Sequence, residues 1–232
     1  MMVAEGRVLV NGAPVDKTSR QVDPGDNVLL VGALPRFVSR GGEKLVAALS
    51  WFHIDVVDRE VLDAGASTGG FTDCLLQSGA RRVVALDVGH GQLHPKLRDD
   101  TRVEVHERVN VRDVAPDDIG GWVDLVVADL SFISLTVVST ALVSLVRPGG
   151  DLVMLVKPQF EIGRDREGRR VLSRGKGVVT DPRWQARACD QVVESTRRAG
   201  ARIVGVVESP LRGGDGNKEF LLHAVSDARL SP

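Results

Sequence analysis

From Val61 to Leu76 the chain reads VLDAGASTGGFTDCLL. A short apolar run closes on an acid, opens into glycines and hydroxyls, and resumes with helical spacing. This predicts a strand, a tight turn and a helix, the first unit of a parallel α/β sheet. The alternation continues. RRVVALDVG reads as a second strand, RVEVHE as a weaker third and VDLVVADL as a fourth. A helix follows in SLTVVSTALVSLV, and DLVMLVKP is a fifth strand. Asp181 and Pro182 signal the start of a helix that runs to Gly200. ARIVGVVES and NKEFLLHAV then follow one another without a helix between them, as an antiparallel hairpin at one edge does. The expected architecture is a doubly wound, mostly parallel sheet with an antiparallel edge strand and helices on both faces.

The first residues are different. GRVLVNGAPV alternates around Asn11-Gly12, a hairpin signal, and DPGDNVLLVG is a turn and a strand. So few strands make a small, partial appendage, placed at 1–35. RFVSRGGEKLVAALSWF spaces Leu45, Ala48, Leu49 and Phe52 along one helix face, so 36–59 is read as a linker and helix leading into a core at 60–232.

With 30 basic and 31 acidic residues, the net charge of −1 gives no global attraction to nucleic acid, so a basic patch must be local. Gln159 to Thr180 carries such a patch in Arg164, Arg166, Arg169, Arg170, Arg174 and Lys176. It is expected to be a long functional loop facing nucleic acid. The longest uncharged apolar stretch, Leu130 to Val146, is shorter than the about 20 residues that span a bilayer and is rich in serine. Cys74 and Cys189 form no metal-ligand motif and fit a reducing compartment. No signal peptide is read at the N-terminus, so a cytoplasmic location is expected.

In an open parallel sheet, ligands bind beyond the carboxyl ends of the strands. The turn DAGASTGG lies there. It is neither GxGxxG nor a phosphate-binding loop. Asp63 at its entrance would repel a pyrophosphate and suits a cationic ligand such as S-adenosylmethionine, and Gly65, Gly69 and Gly70 would let backbone approach it closely. Asp87 ends the second strand, where an acid commonly takes ribose hydroxyls. Asp129 ends the fourth strand and Lys157 the fifth, while Lys44 lies in the preceding helix and Glu219 begins the last strand.

The segments VSRGGEKL, LDAGASTGGFTDCLL, LDVGHGQL, VDLVVADLSFISL, LVKPQFE and GNKEFLL occur in this order. Together they resemble the TlyA family of ribosomal RNA 2′-O-methyltransferases, also labelled hemolysins, over essentially the whole chain. The resemblance implies a Rossmann-like, FtsJ-type class I methyltransferase domain. It implies a Lys-Asp-Lys-Glu tetrad at Lys44, Asp129, Lys157 and Glu219. S-adenosylmethionine contacts would come from Asp63, Gly65, Ser67, Thr68, Gly69, Gly70, Phe71, Asp87, Val88 and Asp129. The implied substrate is the 2′-hydroxyl of cytidine in the RNA of ribosomal subunits, met by Arg40 and the basic 164–176 segment, with neither metal nor membrane involved. Relatives begin with a small RNA-binding domain carrying two helices before its hairpin, and residues 4–31 read as only its second half.

A ribose hydroxyl is a poor nucleophile until it loses its proton. Two lysines with two acids form a near-neutral cluster that can poise one amine as base, and Lys157 is the candidate. Three other readings stand beside this one: a membrane-active cytolysin, an RNA-binding scaffold with a vestigial site, and a nicotinamide-dependent oxidoreductase.

Overall fold

In a computed structural model, residues 2–3, 6–32, 35–164 and 166–227 are described, apart from the Arg164 side chain. The chain divides into a unit of residues 1–36 and a larger one of 37–232.

The small unit holds β1 (Val8–Val10), β2 (Ala13–Pro14) and β3 (Val28–Leu30), in the order β2-β1-β3 and all antiparallel. Asn11 and Gly12 turn the first hairpin with φ of 53° and 80°, the left-handed pair that a two-residue loop requires.

The large unit runs α1 (Gly41–Phe52), β4 (Glu60–Ala64), α2 (Gly70–Gln77), β5 (Arg82–Asp87), α3 (Pro95–Arg98), β6 (Val103–Glu107) and β7 (Val123–Ala128). It continues with α4 (Leu135–Leu145), β8 (Val146–Val156), α5 (Pro158–Glu161), α6 (Arg166–Arg174), α7 (Pro182–Arg198), β9 (Ala201–Glu208) and β10 (Phe220–Ser226). The seven strands are ordered β6-β5-β4-β7-β8-β10-β9. The hairpin forms the expected edge with a twist of order: β10 inserts antiparallel between β8 and β9, leaving β9 outermost.

The central strands are buried on both faces, which is why they read as continuous apolar runs. On one face Leu62, Val84, Val126, Leu152 and Leu222 meet Val138 and Leu142 of α4 and Val192 of α7. On the other, Val61, Val83, Leu125, Val153 and Leu221 meet Leu45 and Leu49 of α1 and Leu75 of α2. Both cysteines are free. Among the described residues no helix is long and apolar enough to cross a membrane.

One expectation is corrected. The basic connection is not an extended loop: α5, a short 3₁₀ turn at Ile162–Arg164 and α6 occupy much of it. Ile162 buries against Val179 and Ala188, with Val171 and Leu172 packed beside them, so a few apolar anchors fold a segment whose composition is mostly charged. Four of the basic residues, Arg166, Arg169, Arg170 and Arg174, ride on α6 with exposed side chains, and Lys176 follows it. Arg164 was counted with them, but its side chain lies outside the described residues.

Candidate active site

The carboxyl ends of β4, β5, β7 and β8 converge on two neighbouring cavities. The larger, about 590 Å³, is lined by Gly65, Ser67, Asp87, Val88 and Asp129, with Asn110 and the segment Leu130–Ile133. The smaller, about 350 Å³, is lined by Lys157, Glu219, Gln159 and Phe160, among others. Ser131 and Phe132 line both, so the two cavities share a wall.

The first turn is pinned to the end of β5. Gly65 and Ala66 donate their N–H groups to the Leu86 carbonyl at 2.8 and 3.1 Å. The Asp87 carboxylate accepts from Ser67 N–H at 2.8 Å and from Gly89 N–H at 2.7 Å. Gly65 has a φ of 86°, and a side chain there would meet the Asp129 carbonyl at 2.7 Å. This is a close approach that only glycine allows.

The other glycines of the turn do something else. A Cβ on Gly69 would strike Leu97 at 2.2 Å, and one on Gly70 would strike the Ser39 hydroxyl at 2.1 Å. They seat α2 against its neighbours, and neither lines the larger cavity. Phe71 is buried in the core, and Thr68 is exposed away from that lining.

Asp63 also departs from expectation. It is fully buried, accepts the Thr72 hydroxyl at 2.6 Å and lines neither cavity, while its second oxygen has no partner among the described residues. Burial pushes its carboxyl up to about 7, opposed by the Thr72 hydrogen bond and reinforced by Asp129 and Asp87. An unfolded aspartate titrates near 3.9, so between about pH 4 and 7 the folded state holds the extra proton and stability falls as pH rises. Asp63→Asn is expected to flatten that part of the profile. Thermal melts with equal slopes for both proteins across the window would refute the assignment.

The four tetrad positions come together as two ion pairs. Lys44 donates to Glu219 at 2.5 Å, both side chains nearly buried, across 175 residues of sequence. The Lys157 ammonium lies 2.6 Å from Asp129 and donates to the Ser131 hydroxyl at 2.9 Å. Glu161, four residues after Lys157, is a further anchor. Its buried carboxylate accepts from Ser134 Oγ at 2.5 Å and Leu135 N–H at 2.9 Å, capping α4. Segment 129–134 is therefore held at both ends by residues that follow β8.

Sequence reading passed over Phe132 in that segment. It is 92% exposed and holds a φ of 64°, and its ring lies 5.3 Å from that of Phe160. An exposed aromatic ring on a non-glycine residue with positive φ is a feature that only conformation reveals. Gln92 and Asn110 were also passed over: Gln92 lies in the LDVGHGQL segment but was given no role there, and Asn110 lies on a connecting segment outside every motif. Arg40 is exposed at the start of α1. Among the described residues no group of three or more histidine, cysteine or acidic side chains could hold a metal ion.

Comparison with known proteins agrees with this geometry. A family model described as FtsJ-like methyltransferase matches residues 37–225, and one described as S4 domain matches 1–28. The chain is 48% identical over 222 residues to the 16S/23S rRNA (cytidine-2′-O)-methyltransferase TlyA of Mycobacterium tuberculosis, spanning 95% of this chain and 81% of that one. It is 37% identical over 225 residues to Hemolysin A of Brachyspira hyodysenteriae, spanning 97% and 91%. A solved structure described as a hemolysin from Streptococcus thermophilus superposes with a TM-score of 0.82 at 41% identity, covering 97% of this chain and 80% of that one.

Proposed function

Because the chain belongs to the FtsJ-like methyltransferase family, we propose that it methylates the ribose 2′-hydroxyl of cytidine in ribosomal RNA. It is an S-adenosylmethionine-dependent methyltransferase, and the larger cavity suits that cofactor. Its volume lies in the ~300–1,000 Å³ range of small-molecule sites. The Asp87 carboxylate stands at the wall with capacity for ribose hydroxyls, Gly65 lets the turn close on the Asp129 carbonyl at the cavity's edge, and Val88, Val109 and Val111 offer apolar surface to a purine. When bound, the cofactor supplies an electrophilic methyl group on a sulfonium centre.

The observation that carries the reading is the pair of lysine–carboxylate contacts beside that cavity. In-line displacement depends on positioning, and buried ion pairs hold both amines in fixed places. Lys157 steers the 2′-oxygen and is the side chain placed to take its proton. Asp129 and Ser131 orient that amine. Glu219 fixes Lys44, which steadies the ribose or its phosphate.

RNA is engaged by the exposed arginines of α6, by Lys176 and Arg40, and by the S4 segment, and the enzyme acts on ribosomal RNA or subunits in the cytoplasm. Arg170 and Arg174 line a third cavity of about 490 Å³ with Arg183 and Trp184. Replacing Arg170 and Arg174 by glutamine is expected to weaken RNA binding and to lower the slope of log affinity against log salt by roughly 0.7 per lost phosphate contact. An unchanged slope would remove α6 from the interface. Mass mapping of ribosomal RNA after incubation with labelled S-adenosylmethionine tests the whole reading: ribose-methylated cytidine is expected, and a label on a base or no label at all overturns it.

A further inference from the structure

Segment 129–134 is the partition between the two cavities. Asp129 to Ile133 line the larger one, and Ser131 and Phe132 line the smaller one as well. The sheet sets its near end: Asp129 donates its N–H to the Ala64 carbonyl at 3.1 Å, and its carboxylate meets Lys157. Its middle is strained. Phe132 holds a φ of 64°, and a non-glycine residue keeps such a conformation only where its surroundings fix it. Those surroundings come from α5, the four-residue helix that starts directly after Lys157. Phe160 lies against the Phe132 ring, and the buried Glu161 carboxylate takes the far end through Ser134 Oγ and the Leu135 N–H. A carboxylate is well placed there, because Leu135 is the first residue of α4 and a helix N-terminus favours negative charge. Glu161 itself lines neither cavity, so whatever it does to the site it does through the partition.

We propose that Glu161 is a positioning residue. It holds the partition in the conformation that keeps Ser131 on the Lys157 ammonium and keeps Asp129, Leu130 and Phe132 at the wall of the cofactor's cavity. The part that concerns Lys157 rests on the reading of that side chain as the group that takes the ribose proton. Ser134 and Leu135 are both buried, and buried donors without an acceptor are costly. With no acceptor at position 161 the segment therefore moves to satisfy them, and Phe132 is released from its left-handed conformation. Ser131 lies between these two points, so its contact with Lys157 moves with them. A displacement of about 1 Å in a reacting group can cost ~10²-fold in rate.

The test compares wild-type protein with Glu161→Leu, which fills the space and removes the acceptor, and with Glu161→Gln, whose amide accepts from the Leu135 N–H and donates to Ser134 Oγ. Thermal melts fix a temperature at which each is folded. Glu161→Leu is expected to weaken S-adenosylmethionine binding severalfold by calorimetry. It should also lower the single-turnover rate of transfer to ribosomal RNA, at saturating RNA and cofactor, about 10–100-fold. Glu161→Gln should keep most of both. In a Ser131→Ala background the leucine substitution should cost the rate less, because the contact it acts through is already gone and residues of one network are not additive. An equal cost in both backgrounds, or a folded leucine variant with wild-type affinity and rate, overturns the assignment. Should Glu161→Leu not fold, Ser134→Ala replaces it by removing one donor of the clamp: losses in both readouts support the assignment, and wild-type values overturn it. A wild-type protein that transfers no methyl group would overturn the reading of the reaction, and the calorimetric comparison would still decide this one.

Discussion

Lys157→Ala is expected to abolish methyl transfer to RNA while leaving S-adenosylmethionine binding nearly intact. The amine lines the smaller cavity, whereas Asp87 and the Gly65–Ser67 turn line the larger one, so the two losses are separable. Loss of a positioned base typically costs ~10²–10⁴ in rate. Here the cost should lie at the upper end, because the alanine also leaves Asp129 without its cation and Ser131 without its donor, and groups that act together are not additive. Lys157→Arg separates charge from base. Arginine keeps the positive charge but does not give up its proton at neutral pH. Single-turnover rates near normal for the arginine variant, at saturating RNA and cofactor, would make Lys157 an electrostatic contact and move the base to Lys44 or solvent.

Asp87→Ala should have its largest effect on the cofactor. Loss of charge-assisted hydrogen bonds to ribose hydroxyls is expected to weaken S-adenosylmethionine binding by about 1.5–3 kcal/mol, roughly 10–150-fold in Kd. The structure adds a second route to the same loss. Asp87 also pins Ser67 and Gly89 through their N–H groups, and Ser67 is held with a φ of 48°. Alanine therefore releases the turn as well as the contact. Asp87→Asn keeps one acceptor oxygen and should be the milder variant. Unchanged affinity by titration calorimetry would remove Asp87 from the site.

The alternation that begins at Val61 was sufficient for the sheet and its helices, because strands buried on both faces must be apolar throughout and the helices between them must be amphipathic. The acids and the lysine at strand ends were legible for a related reason: a charged residue that closes an apolar run sits where the strand meets solvent. The Asn11-Gly12 hairpin was legible because few residues accept two consecutive positive φ values. Local pattern does not report what a side chain meets across the fold. It gave Gly65, Gly69 and Gly70 one role, whereas Gly65 borders the cavity and the other two pack against Leu97 and Ser39. It placed Asp63 at the entrance of the ligand turn, and the structure buries that carboxyl against Thr72, outside the lining of both cavities. It read a basic loop where a few apolar anchors fold a helix. Insertion of β10 beside β8, closure of Lys44 on Glu219 and exposure of Phe132 were decided by tertiary structure alone. Each depends on contacts between distant segments, and the free energy of those contacts is set by the whole packed sheet rather than by any stretch of sequence.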